Sequence, residues 1–177
     1  VTGEKQGAAA VAGTAALTFG AGLVTLVKSF PDKKLSVKIS PELMFDAEFP
    51  EKTTAVLLGS GLGRSFTEKS PVTLAVQRVR RLIEGQKRRA VVLDADIFYY
   101  PQIAEFLDQI FCPAVLTPHP KEFQSLLSLC GFGGYSIQEI AEQRIELAKK
   151  FTKRFPDTVL VLKGANTIIS SASGIYI

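Results

Sequence analysis

Four short segments of this chain carry polar groups that can do chemistry, and each follows directly on an apolar run. The first supplies glycine amides, the second a pair of carboxylates, the third the only histidine, and the fourth a lysine and a tight turn. Amides and an ammonium suit a phosphate, while carboxylates suit a metal, a hydroxyl or a helix cap. In chain order the segments are Gly59-Ser-Gly-Leu-Gly63, Asp94-Ala-Asp96, Thr117-Pro-His-Pro120 and Lys163-Gly-Ala-Asn-Thr167.

The two candidate phosphate-binding segments also have structural interpretations. Glycines in Gly59-Ser-Gly-Leu-Gly63 allow positive φ angles and a close approach of a ligand to the backbone. However, the loop lacks the Lys-Ser/Thr of the Walker pattern and the Gly-x-Gly-x-x-Gly spacing. Lys163 suits a nucleotide phosphate, and it also fits a simple surface charge. Each segment alone is therefore a weak signal.

The acidic and histidine segments leave similar alternatives open. Asp94 and Asp96 point the same way only if the strand before them continues, and a structural role for either is at least as common. A lone histidine is more often structural, but the prolines around His119 form a rigid loop that aims the imidazole. Glu122, one turn later, either orients His119 or caps the following helix.

The apolar runs before these segments predict how they are positioned. Strands that are apolar on both faces are typical of a parallel sheet covered by helices. Ligands of such sheets bind outside the carboxyl ends of the strands. The polar segments are therefore expected to gather along one edge. The runs are Ala55–Leu58, Ala90–Leu93, Ala114–Leu116 and Val159–Leu162.

Helical patterns alternate with these runs, which predicts an α/β fold: a mostly parallel sheet with helices on both faces. The segment from Ser29 to Lys52 is expected to be rich in loops because three prolines interrupt it. A further strand is predicted at Leu23–Val27 and a hairpin at Thr167–Ser170 and Gly174–Ile177. Predicted helices cover about 7–19, Pro71–Glu84, Pro101–Phe111, Pro120–Leu129 and, from a capping box at Ser136 and Glu139, about 137–155.

Composition and charge are ordinary for one globular domain of 177 residues, with 46% hydrophobic and 21% charged residues and a net charge of +4. Much of the positive charge falls in residues 77–89. A nucleic-acid surface and a solvated helix face both fit it. The second is favoured, because Val79, Leu82 and Ile83 form a buried side and no aromatic residue lies among the arginines. We therefore expect no nucleic-acid partner.

The cysteines and the histidine argue against a zinc site. Cys112 and Cys130 have neither a metal-ligand nor a Cys-x-x-Cys spacing, and His119 is alone. The cysteines are expected to be reduced, buried thiols of a cytoplasmic protein.

The uncharged segment from Gly7 to Val27 is long enough to span a bilayer. Glycine, alanine and threonine interrupt it, so a helix packed on the sheet, followed by a strand, is the favoured interpretation, with no membrane contact. The chain has no initiator methionine and stops within a predicted strand. It is expected to be a single domain, 1–177, that is incomplete at both ends.

In combination the motifs resemble the NAD(P)H-hydrate dehydratase family, a branch of the ribokinase-like fold. They occur in the family's order and cover nearly the whole chain. The matching segments are Gly7-Ala8, Gly20-Ala-Gly-Leu-Val24, Pro41-Glu-Leu-Met44, Gly59-Ser-Gly-Leu-Gly63, Leu93-Asp-Ala-Asp96, Thr117-Pro-His-Pro120 and Leu162-Lys-Gly-Ala165.

The resemblance implies a hydro-lyase that repairs hydrated NADH and NADPH, consuming ADP or ATP with Mg²⁺. It implies that Ala8, Gly61 and His119 contact the hydrated dinucleotide. It also implies that Lys163, Gly164, Ala165, Asn166 and Thr167 hold the adenine nucleotide. It leaves open the choice between ADP and ATP, and whether an epimerase domain is fused or acts as a partner. A homo-oligomer is expected.

Two departures from the family pattern limit this expectation. Ser60 replaces the proline of the family's Gly-Pro-Gly loop, which reduces rigidity but keeps the amides. The family's catalytic aspartate, in a Gly-Thr-Gly-Asp segment, is expected beyond Ile177, so no catalytic residue is assigned and residues 1–177 alone are expected to be inactive. A small-molecule kinase of the same fold and a non-catalytic nucleotide-binding module are the alternatives.

Overall fold

The computed structural model describes residues 1–29, 40–86 and 88–177. Helices and strands alternate along the chain, as the apolar periodicity predicts. The helices are α1 (Gln6–Thr18), α2 (Pro71–Ile83), α3 (Ile103–Asp108), α4 (Pro120–Leu129), α5 (Ile137–Glu142) and α6 (Arg144–Arg154), with a 3-10 helix at Ala95–Tyr99. The strands are β1 (Thr25–Val27), β2 (Met44–Asp46), β3 (Ala55–Leu58), β4 (Ala90–Leu93), β5 (Ala114–Leu116), β6 (Thr158–Leu162), β7 (Ile168–Ser171) and β8 (Gly174–Tyr176).

The main sheet has six strands in the order β3-β4-β5-β6-β7-β8. Strands β3 to β6 are parallel, and β7 and β8 add antiparallel to the edge at β6. The mostly parallel sheet with flanking helices is the predicted α/β class, and the predicted hairpin is confirmed. Its neighbouring parallel strands bring four carboxyl ends to one edge.

One strand and two helices differ from the sequence-based expectation. Strand β2 lies in the segment expected to be loops, where it pairs in parallel with β1 as a separate two-stranded sheet. Its central Phe45 is only half-buried, so no apolar run marks it. The part of the predicted loop segment at 30–39 lies outside the described residues.

Two predicted helices are shorter or divided in the structure. The helix expected at 101–111 is reduced to α3, and a 3-10 helix that was not predicted precedes it directly after Asp94. The long helix expected after Ser136 is broken at Gln143, which has φ −110° and ψ 20° and separates α5 from α6. The predicted capping box of Ser136 and Glu139 is confirmed.

The core lies along the alternate, buried residues of strands β3 to β7. In β6 the residues Thr158, Leu160 and Leu162 are buried, and the alternate Val159 and Val161 are half-buried. These buried residues pack with buried side chains of α2 to α6 and of the 3-10 helix, among them the four phenylalanines Phe98, Phe106, Phe123 and Phe151. Helix α1 packs instead with β1 through Ala9, Ala10, Leu26 and Leu43.

The basic segment is largely tied into the protein. Arg78 donates to the carbonyls of Lys28 and Ala47, and Arg89 to that of Thr53. Val79 and Ile83 are buried, and Leu82 is half-buried. These contacts agree with a helix that has a packed side. In the described part of the chain, no helix combines the length and the apolar character that crossing a bilayer requires.

Both cysteines are free thiols in protected positions. Cys112 is buried, as expected, whereas Cys130 at the end of α4 is half-buried. Burial, reinforced by the carboxylate of Asp108, raises the pKa of Cys130 to about 12. Burial also raises the pKa of Cys112. Both thiols are therefore protonated, and poor nucleophiles, at neutral pH.

We predict that the Cys130 thiol makes folding less favourable at alkaline pH. A cysteine in the unfolded chain has a pKa of about 8.5, whereas Cys130 in the folded protein has a pKa of about 12. The unfolded state therefore binds fewer protons in this window, and the free energy of unfolding falls as pH rises, at most by about 1.4 kcal/mol per unit. Urea unfolding at several pH values should show a shallower decline for Cys130→Ala. Parallel declines would contradict the prediction.

Candidate functional site

The carboxylate of Asp94 joins the carboxyl ends of the parallel strands. Its Oδ1 accepts hydrogen bonds from Thr117 Oγ1 at 2.7 Å and from Lys163 Nζ at 3.0 Å. Its Oδ2 accepts from Ser60 Oγ at 3.3 Å. Asp94 follows β4, and its three partners follow β3, β5 and β6. The predicted convergence of polar groups on this edge is therefore confirmed.

Backbone hydrogen bonds hold the same strand ends together. Asp94 N donates to Leu58 O at 3.0 Å, and Thr117 N donates to Leu93 O at 3.1 Å. Lys163 N donates to Pro118 O at 2.9 Å. The last bond connects the Thr-Pro-His-Pro loop directly to the loop that begins at Lys163. Two segments with separate sequence signals therefore form one surface.

The glycine loop is shaped by contacts that exclude side chains. Gly59 has φ 129°, and a Cβ on it would lie 1.6 Å from the carbonyl oxygen of Asp94. Gly61 has φ 71°, and a Cβ there would lie 2.4 Å from Lys5 O and 2.9 Å from Ala8 Cβ. Positive φ was expected at these glycines and is confirmed. Ala8 and Gly61, which the resemblance pairs on one ligand, are neighbours.

Part of the loop's donor capacity is used within the protein. The Leu62 amide donates to Gly59 O at 3.2 Å. The Gly63 amide donates to Asp96 Oδ2 at 3.0 Å, and Arg64 Nε donates to Asp96 Oδ1 at 3.1 Å. The loop is therefore less open to a phosphate than its sequence indicates.

The two carboxylates of Asp94-Ala-Asp96 have different neighbours. Because β4 ends at Leu93 and Ala95 has φ 57°, the alternation of a continued strand is lost. Asp94 contacts strand ends, while Asp96 contacts the glycine loop. Within residues 1–29, 40–86 and 88–177, no group of three or more His, Cys, Asp or Glu side chains is placed to hold a metal ion.

His119 caps helix α4. Its Nδ1 accepts from the amides of Lys121 at 3.1 Å and Glu122 at 3.2 Å, and its own amide donates to Glu122 Oε2 at 2.9 Å. Its Nε2 lies 3.2 Å from Glu122 Oε1. Both suggested roles of Glu122, orienting His119 and capping the helix, are therefore observed. The imidazole remains 47% exposed, which leaves ring surface available.

The segment after Lys163 projects from the sheet. Gly164, Ala165, Asn166 and Thr167 are exposed. Arg144, the first residue of α6, donates from Nη2 to Asn166 O at 2.7 Å. Sequence reasoning did not find Arg144, because its helix position carries no motif. Ser60 and Thr117 lie within the predicted motifs, but the sequence does not indicate that their hydroxyls contact Asp94.

The fold is ribokinase-like. An Enterococcus faecalis ribokinase-like superfamily protein superposes with a TM-score of 0.63 at 21% identity, covering 96% of this chain and 57% of that one. A Bacillus subtilis ADP/ATP-dependent NAD(P)H-hydrate dehydratase, crystallised with ATP/Mg²⁺ and soaked with CoA, superposes with a TM-score of 0.66 at 26% identity. The match covers 99% of this chain and 62% of that one.

The chain belongs to the NAD(P)H-hydrate dehydratase family, whose model matches residues 1–177. The Helicobacter pylori bifunctional NAD(P)H-hydrate repair enzyme Nnr is 34% identical over 175 residues. That match covers 99% of this chain but 34% of the relative. The chain therefore spans about a third of this relative's length.

We predict that Asp94→Ala lowers the free energy of unfolding by about 1–2 kcal/mol, because it removes a charged acceptor shared by Thr117 and Lys163. Urea unfolding measures the change. The control is Asp108→Ala, which removes an exposed ion pair with Arg154 and should cost less than about 1 kcal/mol. Equal losses in the two variants would show that Asp94 is no more than a surface charge.

Proposed function

We propose that this chain is the dehydratase unit of an enzyme that converts hydrated NADH and NADPH back to NADH and NADPH. The observation that carries the proposal is the hydrogen bond from Lys163 N to Pro118 O at 2.9 Å. It joins the segment matched to the dinucleotide with the segment matched to the adenine nucleotide. The family membership of the chain supports the same reaction.

The chemistry requires the ring hydroxyl of the hydrate to be phosphorylated before its C–O bond can break. Hydroxide is a poor leaving group, so the ring hydroxyl of the hydrate first accepts a phosphoryl group from ADP or ATP. Phosphate then departs with the C–O electron pair, the ring nitrogen supplies electron density, and a neighbouring ring carbon loses a proton. The protein's contribution to such a reaction is mainly positioning and stabilisation of charge.

Each substrate has its own group of residues in this proposal. Ala8, Gly61 and His119 contact the hydrated dinucleotide, with His119 using the ring surface that helix capping leaves exposed. The segment Lys163-Gly-Ala-Asn-Thr167 holds the adenine nucleotide. The Lys163 ammonium lies 3.0 Å from Asp94 Oδ1 and is 45% exposed, which supports a role beside an anion.

The adenine nucleotide is ADP or ATP, accompanied by Mg²⁺. The Bacillus subtilis relative is ADP/ATP-dependent and was crystallised with ATP/Mg²⁺. Mg²⁺ commonly binds through substrate phosphates and one or two carboxylates. Asp94 and Asp96 are the carboxylates at this edge, and both already accept hydrogen bonds. The nucleotide's phosphates and bound water would therefore supply most of the ligands that the ion requires.

The proposal also covers the epimerase, the cellular location and the oligomeric state of the enzyme. The Helicobacter pylori relative is bifunctional, which supports an epimerase as a fused domain or a partner. We place the enzyme in the cytoplasm and expect a homo-oligomer. We also expect the family's catalytic aspartate outside residues 1–177.

A coupled assay on the complete polypeptide tests the reaction. Hydrated NADH, Mg²⁺ and either ADP or ATP should give NADH absorbance together with inorganic phosphate, and the productive nucleotide identifies the donor. Residues 1–177 alone should give neither. A stable phosphorylated product would instead identify a small-molecule kinase, and nucleotide binding without either product would identify a binding module.

We predict that His119→Asn separates the two roles of this residue. Asparagine is a favourable N-cap, so the variant should keep the unfolding free energy within about 1 kcal/mol of the parent. It should nevertheless weaken binding of hydrated NADH by about tenfold, since the imidazole surface is lost. Calorimetry on the complete polypeptide measures the affinity.

The paired variant His119→Ala should lose affinity and about 1 kcal/mol of stability together, because alanine cannot accept the helix amides. Unchanged affinity in both variants would assign His119 to capping alone.

A further inference from the structure

Arg144 contacts the segment of residues 163–167 in two ways. Its Nη2 donates to Asn166 O at 2.7 Å. Its guanidinium also lies against Gly164, where a Cβ would come within 2.5 Å of Nη2 and 3.1 Å of Cζ. A hydrogen bond and a close packing contact therefore hold the same segment, and a Cβ at position 164 would displace the guanidinium tip.

The rest of the segment has little support. Lys163 is fixed by Asp94 and by the carbonyl of Pro118, but the four residues that follow are exposed. Within the described part of the chain, the bond from Arg144 is the hydrogen bond that joins these four residues to a helix. Loss of this bond would leave them attached to the fold only through β6 and β7.

The position of Arg144 leaves one of its donors without a hydrogen-bond partner, which opposes folding. Its Nε is buried without a hydrogen-bond partner, and among the described residues no carboxylate forms an ion pair with it. A buried donor without a partner opposes folding. The guanidinium nevertheless lies close to Gly164, and its planar fork is less flexible than a lysine ammonium. Arg144 therefore holds residues 164–167 in place although its own Nε has no hydrogen-bond partner.

We propose that Arg144 is a positioning residue of the nucleotide site, holding Gly164 to Thr167 in the shape that receives the adenine nucleotide. This inference rests on the proposed function, because the role of the segment comes from the family. It assigns to α6 a part in nucleotide binding: the helix break at Gln143 brings Arg144 to the start of α6.

The first experiment compares Arg144→Met with Arg154→Met in the complete polypeptide. Both variants remove one arginine from α6, but Arg154 pairs with Asp108, away from the segment. Backbone ¹⁵N relaxation should show order parameters of Gly164 to Thr167 falling below about 0.6 in Arg144→Met only. Calorimetry should show ADP affinity about tenfold weaker in that variant only. The thermal unfolding midpoint reports whether each variant is folded.

The second experiment leaves Arg144 in place. Gly164→Ala introduces the Cβ that displaces the guanidinium tip, so it should loosen the segment and weaken ADP binding in the parent. In the Arg144→Met background it should add little, because the contact is already gone. This variant also decides the matter if Arg144→Met does not fold.

The outcomes separate this inference from the proposed function. Unchanged order parameters in Arg144→Met would refute the positioning role, as would a loosened segment that binds ADP with parental affinity. If the parent protein binds neither ADP nor ATP, the proposed function and the nucleotide role of Arg144 both fail. A segment that loosens in Arg144→Met but not in Arg154→Met, with weakened ADP binding, supports the positioning role.

Discussion

The hydrogen bonds to the carboxylate of Asp94 are the interaction on which the site depends. A parallel sheet brings strand ends to one edge, but it does not by itself fix the side chains that follow them. The Asp94 carboxylate fixes three of them, because it accepts hydrogen bonds from the hydroxyls of Ser60 and Thr117 and, at 3.0 Å, from the ammonium of Lys163. Its own backbone is fixed as well, because the glycine at position 59 packs directly on its carbonyl oxygen.

This network gives a physical account of the serine in the glycine loop. The resemblance leads us to expect proline at position 60, and a serine there lacks the conformational restraint of proline. Ser60 donates from Oγ to Asp94 Oδ2 at 3.3 Å, which a proline side chain cannot do. One restraint, on the backbone angle, is thus replaced by another, on the side chain. The loop keeps positive φ at each of its three glycines, 59, 61 and 63.

The sequence predicted the central sheet well because its signals there are local and strong. β3, β4 and β5 coincide with the predicted apolar runs, and the polar residues that end them meet as expected. Strand β2 was missed because it is short and only half-buried, so tertiary pairing with β1 determines it rather than its own pattern. The break at Gln143 was missed because no proline or glycine marks it.

The candidate site was predicted in its members but not in its contacts. Spacing indicated that Asp94, Thr117 and Lys163 lie near one another, whereas which atoms meet depends on side-chain geometry that no pattern encodes. His119 combines the two alternatives that the sequence left open, since it caps α4 and still exposes nearly half of its side chain. Arg144 reaches the loop from a different helix, and such a contact leaves no trace in local periodicity.

The Asp94 network also bears on the order in which the molecule folds. Its hydrogen bonds span 34 positions to Ser60, 23 to Thr117 and 69 to Lys163. Parallel strands are joined by long crossover connections, and such distant contacts form slowly. The network therefore closes only after β3 to β6 are aligned. A partly folded chain would have secondary structure but no assembled site, so ligand binding would report on the late steps of folding.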